Sequence, residues 1–283
     1  TSVGNIDTAF DVLSDMVLRP LLREKEIETE KGTIIQEIAM YEDTPMAKIG
    51  EVFENVIFAG NSLSWDTAGT AESVKRITKN DFVRYRKIHY YPGNMLISVV
   101  GGVSESKALE LVKKYFGENL HPLGEISKHL AGVPFKSEQI RPQIKLKSKK
   151  EEQAHFIIGF RAEGRAYRGR FAQGILAAIL GGGMSSRLWI EVRERRGLAY
   201  AVRTSIDRYS DTGYLGTYAG VDPKKVDEAI KVILDQLYGI TGGKYPITKK
   251  ELKDFKEFLK GHLALALEET KDVSSFFSDQ VLF

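Results

Sequence analysis

Glu30 and Glu37 lie seven residues apart in a highly charged run, 23–42, whose apolar stripe is Ile27, Ile34, Ile35 and Ile38. Seven residues is nearly two turns of an α-helix, so a helix there carries both carboxylates on one face. Paired acids on one face are a place where proton or ligand chemistry could sit. The plainer alternative is a solvated face, since Glu24, Glu26, Glu28 and Lys31 crowd the same turns. The histidines are His89, His121, His129, His155 and His262, and no two are four apart, so an H-x-x-E-H helix is absent. There are no cysteines, which excludes disulfides, thiolate nucleophiles and Cys-ligated metals. Gly181-Gly182-Gly183 lacks the lysine and hydroxyl of a phosphate loop and reads as a helix–helix turn with Ser185 as N-cap. Arg141, Lys145, Lys147, Lys149 and Lys150 form a basic stretch without interleaved aromatics, a solvated face rather than a nucleic-acid surface.

The elements that must position these residues follow from periodicity and punctuation. Helices are expected over 6–19, stopped by Pro20; over 23–42; and from Pro45 to about Phe58. Thr78 with Asp81 marks a helix start running to about Tyr91, and Ser104 caps a helix to Phe116. Met95–Val100 reads as a buried strand. Residues 118–139, with Gly, Pro and Ser and little periodicity, read as a linker between a first unit, 1–117, and a second, 140–283. The second unit opens with strands at Gln143–Lys149 and Gln153–Arg161. Helices at about 168–180 and 185–196 follow, then strands at 200–208 and 212–220, and helices at about 223–239, 248–269 and from 272.

The two units echo each other. Asp7 to Asp15 aligns with Asp227 to Asp235; Glu26-Ile27 aligns with Glu251-Leu252; Asn55-Val56-Ile57-Phe58 aligns with Gln280-Val281-Leu282-Phe283. On that register Phe255 and His262 stand where Glu30 and Glu37 stand in the first copy. A fold that accepts an apolar and a basic residue there does not need two acids, which favours a role for them in the first copy only. The expected fold is α+β: two duplicated units, each an antiparallel-rich sheet covered by helices. The copies overlap incompletely, so the chain reads as a fragment truncated at the N-terminus of the first unit and the C-terminus of the second.

Composition sets outer bounds. The chain of 283 residues is 42% apolar and 28% charged with net charge +3, an ordinary soluble composition with no electrostatic prior for nucleic acid. No apolar run approaches the length that spans a membrane. A cysteine-free chain opening at Thr1 without a leader points weakly to the cytoplasm.

The stretch from Glu30 through Glu37 to Asp43-Thr44-Pro45 resembles the third-ligand helix of the pitrilysin/insulinase zinc peptidases, which include mitochondrial processing peptidase. Leu180-Gly-Gly-Gly-Met-Ser-Ser186-Arg187-Leu188, followed by Arg193-Glu-Arg-Arg-Gly197-Leu-Ala-Tyr200, is similar to the family's Arg-x6-Tyr segment. Tyr91-Pro92-Gly93-Asn94-Met95 also matches, and the likeness runs end to end. The resemblance implies that Glu37 is a zinc ligand and that Glu30 is the acid that braces the ligands. It implies that Arg193 and Tyr200 reach across to a peptide substrate and stabilise its oxyanion. The implied parent is a zinc metalloendopeptidase closing two halves around an extended or unfolded peptide, as a homodimer or with a sister subunit. Two histidine ligands and the general base would fall in an N-terminal segment outside this chain, so the chain alone is expected to be inactive and to bind no catalytic zinc. The alternative is a non-catalytic peptide-binding or scaffold paralogue.

Overall fold

A computed structural model describes residues 1–117 and 134–282. Thus residues 118–133 of the expected linker, with His121 and His129, lie outside the described residues. The order of elements is α1 (Ile6–Leu18), α2 (Glu24–Asp43), α3 (Pro45–Ile57), α4 (Ala71–Arg76), α5 (Lys79–His89), α6 (Glu105–Phe116), β1 (Ala154–Glu163) and α7 (Arg170–Gly181). A π-helical turn (Trp189–Glu194), β2 (Ala199–Arg208), β3 (Thr212–Val221), α8 (Val226–Thr241), α9 (Lys249–Ala266) and α10 (Thr270–Leu282) follow. The described residues cluster into two compact units whose segments alternate along the chain.

One unit gathers Thr1–Glu37, the described part of Thr70–Val133, and Ala264–Phe283. It is helical, and its core is small: Phe10 of α1 against Leu111 and Phe116 of α6, with Ile6, Leu18 and Val99 around them. Asp7 fastens the pair from outside, accepting from Tyr115 Oη at 2.6 Å and Lys114 Nζ at 3.2 Å. Local caps set the helix starts. Thr78 and Asp81 exchange hydrogen bonds in a capping box, Thr70 and Ser73 do the same for α4, and Ser104 caps α6. Met95–Val100 forms no ladder among the described residues, and Leu96, Ile97 and Val100 are exposed. Its apolar run predicts a strand, yet a strand needs a neighbour's backbone groups, and no described segment of this unit supplies them.

The other unit gathers Ile38–Gly69 and Pro134–Leu263. Its sheet has the order β1-β3-β2, antiparallel throughout, with Ala154 opposite Val221 and Arg208 opposite Gly213. Alternation divides each strand between two faces. Phe156, Ile158, Val202, Leu215, Ala219 and Val221 join Ala177 and Leu180 of α7 and Ala229 and Ile233 of α8 in the main core. On the opposite face α3 lays Phe53 on Gly159, where a Cβ would come within 2.1 Å of the ring. The expected strand at Gln143–Lys149 forms no ladder among the described residues. Its lysines reach helix ends instead: Lys145 to Asn55 at 3.2 Å and Lys147 to Glu42 at 2.6 Å. Ile144 and Leu146 point away and are exposed. The basic stretch therefore spends much of its charge inside this unit.

Candidate functional site

On α2, most acids are occupied. Glu26 takes Arg23, Glu28 takes Lys31, and Glu42 takes Lys147 and Lys48. Lys147 and Lys48 hold the Glu42 carboxyl below its ordinary value. Glu30 and Glu37 are exposed, and neither has a hydrogen-bond or ion-pair partner among the described residues. The α-helical rise puts them about 10 Å apart along one face. Glu30 also lines an open cavity of about 550 Å³ whose walls include Met16, Leu21, Ile27, Ile34 and Phe82.

Arg193 and Tyr200 both sit on backbone irregularities. The helix expected over 185–196 becomes a π-helical turn, with the Arg195 N–H donating to the Ile190 carbonyl five residues back at 2.9 Å. Leu188 and Val192 are fully buried and pin the turn to the core; Trp189 is half-buried and packs against that core, and Arg193 is exposed. The guanidinium of Arg193 stacks 4.1 Å from the centre of the Trp189 ring. Its neighbours Arg195 and Arg196 both pair with Glu191, and Glu194 accepts from the Trp189 indole at 3.1 Å. Arg193 has no carboxylate partner among the described residues. Gly197, at φ +56°, turns the chain into β2. There a β-bulge interrupts the ladder: Ala199 faces Val221 and Ala201 faces Gly220, leaving Tyr200 between them unpaired. Its side chain is 66% exposed.

An ion pair cross-links the frame around the turn. Arg187 grips Glu251 through two bonds, Nε–Oε1 at 2.7 Å and Nη2–Oε2 at 2.6 Å, and donates to the Tyr245 and Pro246 carbonyls. The guanidinium holds the Glu251 carboxyl below its usual range. The start of this helical stretch differs from the sequence reading: helical geometry begins at Arg187, so Ser186 rather than Ser185 precedes it. Ser186 turns its hydroxyl back to the Gly183 carbonyl at 2.6 Å.

Residues 2–71 match the profile described as Insulinase (Peptidase family M16), and residues 76–259 match Peptidase M16 inactive domain. The chain belongs to peptidase family M16. An uncharacterized zinc protease of Streptomyces coelicolor is 33% identical over 269 residues, covering 94% of this chain and 58% of that protein. Another, from Bacillus subtilis, is 34% identical over 271 residues, covering 94% and 63%. The chain thus spans about three-fifths of the curated relatives it matches. The fold is that of a protease from Helicobacter pylori, with a TM-score of 0.85 at 22% identity over 99% of this chain and 68% of that one.

The Streptomyces coelicolor and Bacillus subtilis relatives are named zinc proteases, and a catalytic zinc site uses three protein ligands and an open position. Among the described residues no three His, Cys, Asp or Glu side chains come together to hold an ion. Glu37 is a free carboxylate of the right kind, but alone it does not make a zinc site. Sequence reasoning singled out Glu30, Glu37, Arg193 and Tyr200 as candidates; it missed the π-turn, the bulge and the Trp189 stack. The Trp189/Arg193 spacing of four was legible, whereas the widened turn depends on which residues the core takes.

Proposed function

We propose that this chain is part of a zinc-dependent endopeptidase acting on extended or unfolded peptides. Residues 1–117 would belong to its catalytic copy and residues 140–283 to its substrate-contacting copy. The observation that carries this reading is one of unused valence. Glu30 and Glu37 have no partner on a helix whose other acids are mostly paired, and Arg193 has no carboxylate in a run where Arg195 and Arg196 do. Tyr200 stands out from a bulge with its hydroxyl unpartnered among the described residues.

In the whole protein Glu37 would supply one carboxylate ligand to zinc, and Glu30 would brace the ligand set. The metal, when bound, supplies Lewis-acid activation for peptide hydrolysis. Arg193, through its N–H edge, and the Tyr200 phenol would donate to peptide carbonyl oxygens, including the one on which negative charge develops. A homodimer or a sister subunit would complete the enclosure around the peptide.

The test uses the whole protein, zinc analysis and a quenched fluorescent peptide. Glu37→Gln is expected to lower zinc content and abolish cleavage. Arg193→Ala is expected to keep zinc and reduce kcat/KM about 10²–10³-fold, the loss typical of an oxyanion donor. Full zinc and full cleavage in Glu37→Gln would sink the reading and leave a peptide-binding or scaffold relative.

A further inference from the structure

We propose that Trp189 is the positioning residue for Arg193, presenting its guanidinium to the peptide from the π-helical turn. This rests on the reading of Arg193 as a peptide-contacting residue.

Three features of the turn act together. First, the hydrogen bond from Arg195 N–H to the Ile190 carbonyl widens the backbone, while buried Leu188 and Val192 fix its rotation against the core. Residues 189 and 193, each one step further along, are thereby held side by side, the half-buried indole packed on the core and the exposed guanidinium lying 4.1 Å from its centre. Second, the ring itself is tethered: Trp189 Nε1 donates to Glu194 Oε1 at 3.1 Å. Third, the carboxylates nearest in sequence are engaged elsewhere, Glu191 by Arg195 and Arg196 and Glu194 by the indole.

The chemistry of the stack matters as much as its geometry. A carboxylate partner would fix Arg193 but occupy its N–H fork and offset its charge. An aromatic face attracts the cation through its quadrupole and leaves the in-plane N–H groups free. A guanidinium so held has lost much of its side-chain freedom before the peptide arrives, so less ordering remains to be done on binding. Trp189 touches no reacting atom in this scheme; it acts through Arg193.

The experiment measures kcat, KM, zinc content and melting temperature for the whole protein. It also measures the affinity of a labelled unfolded peptide by fluorescence anisotropy, a readout independent of turnover. The variants are Trp189→Ala, Trp189→Phe, Arg193→Ala and the double alanine variant. Trp189→Ala is expected to lower kcat/KM and peptide affinity about 5–30-fold, the range of a partly desolvated cation–π contact, with zinc retained and the melting temperature lowered by the lost packing on the core. Trp189→Phe keeps an aromatic face and should restore activity to within about threefold of the parent. The double variant should be no worse than Arg193→Ala, because Trp189 has nothing left to position. If Arg193→Ala is impaired while Trp189→Ala stays within about twofold of the parent, the positioning role is wrong and the reading of Arg193 stands. Additive losses in the double variant also overturn it, since Trp189 would then act on the peptide or the fold directly. Should Arg193→Ala be fully active and bind peptide normally, the reading of Arg193 falls, and this proposal with it.

Discussion

The three helices that begin the chain and the three that end it share one plan and use it differently. α1 and α8 start 220 residues apart, at Ile6 and Val226. α2 and α9 start 225 apart, at Glu24 and Lys249. α3 and α10 keep that spacing at both ends, Pro45–Ile57 and Thr270–Leu282. Corresponding positions nevertheless carry different duties. Phe255, the counterpart of Glu30, is buried against Ala178 and Ile179. His262, the counterpart of Glu37, lies 4.1 Å from the Phe258 ring, with Nδ1 at 3.1 Å from the Phe258 carbonyl oxygen. Glu26 makes a surface pair with Arg23, whereas its counterpart Glu251 holds Arg187 in a largely enclosed two-bond clasp. In the C-terminal set Phe255 packs and Glu251 clasps Arg187, while His262 is exposed beside Phe258. In the N-terminal set Glu26 is paired, but Glu30 and Glu37 face solvent without a partner among the described residues, and that contrast is what marks them out.

The contrast breaks most visibly if the two sets are interchangeable. In the whole protein Glu37→Gln should abolish peptide cleavage, while His262→Gln should leave it within about twofold, as expected for an exposed residue outside the site. Next comes the swap of Glu30 and Phe255. Phe255→Glu empties an apolar site and places a charge in it, and should destabilise by about 4 kcal/mol or more in urea melts. Glu30→Phe should change stability by no more than about 0.5 kcal/mol, because its site is already open. Glu30→Gln should keep the fold and lower turnover about 10–100-fold, the usual effect of losing a group that braces metal ligands. Smaller again is the pair of arginines. Arg187→Ala leaves Glu251 enclosed and unpaired and should remove about 3 kcal/mol, whereas Arg23→Ala should remove less than about 1.

Much of this was legible in the sequence because the signals are local. Capping residues announced α5 and α6, Pro45 opened α3, and the chain's pattern placed helices at about 223–239, 248–269 and from 272, where α8 to α10 lie. What escaped depends on partners distant in sequence. Met95–Val100 and Gln143–Lys149 carry strand patterns, but pattern alone cannot create the neighbour that a ladder requires. The six-residue helix α4 is too short to show a period and is recognisable only by its Thr70–Ser73 capping box. At the candidate site the residue types and the spacing of seven were readable. The π-turn and the bulge were not, because each is a compromise between helix or strand geometry and the buried anchors Leu188, Val192 and Ala199.

The smallest expected effect concerns α3 and α10, which match in length but not in what they hold. From α3, Glu54 Oε1 accepts from Tyr214 Oη at 3.0 Å and Tyr209 Oη at 3.2 Å, beside the fully buried ring of Phe58. Burial and the nearby carboxylate push the Tyr209 phenol up to about 12, and the same causes push Tyr214 higher still. A phenol whose folded value is raised contributes fully below its unfolded value of 10.0. Above that pH the unfolded chain gives up its proton first, so stability falls as pH rises from 10.0 towards about 12. Urea melts across that interval should show a declining stability for the parent. Tyr209→Phe should remove one hydrogen bond, about 1 kcal/mol at neutral pH, and flatten part of the alkaline decline. An unchanged alkaline slope in Tyr209→Phe would mean that the Glu54 cluster does not hold the proton, and that α3 differs from α10 in packing alone.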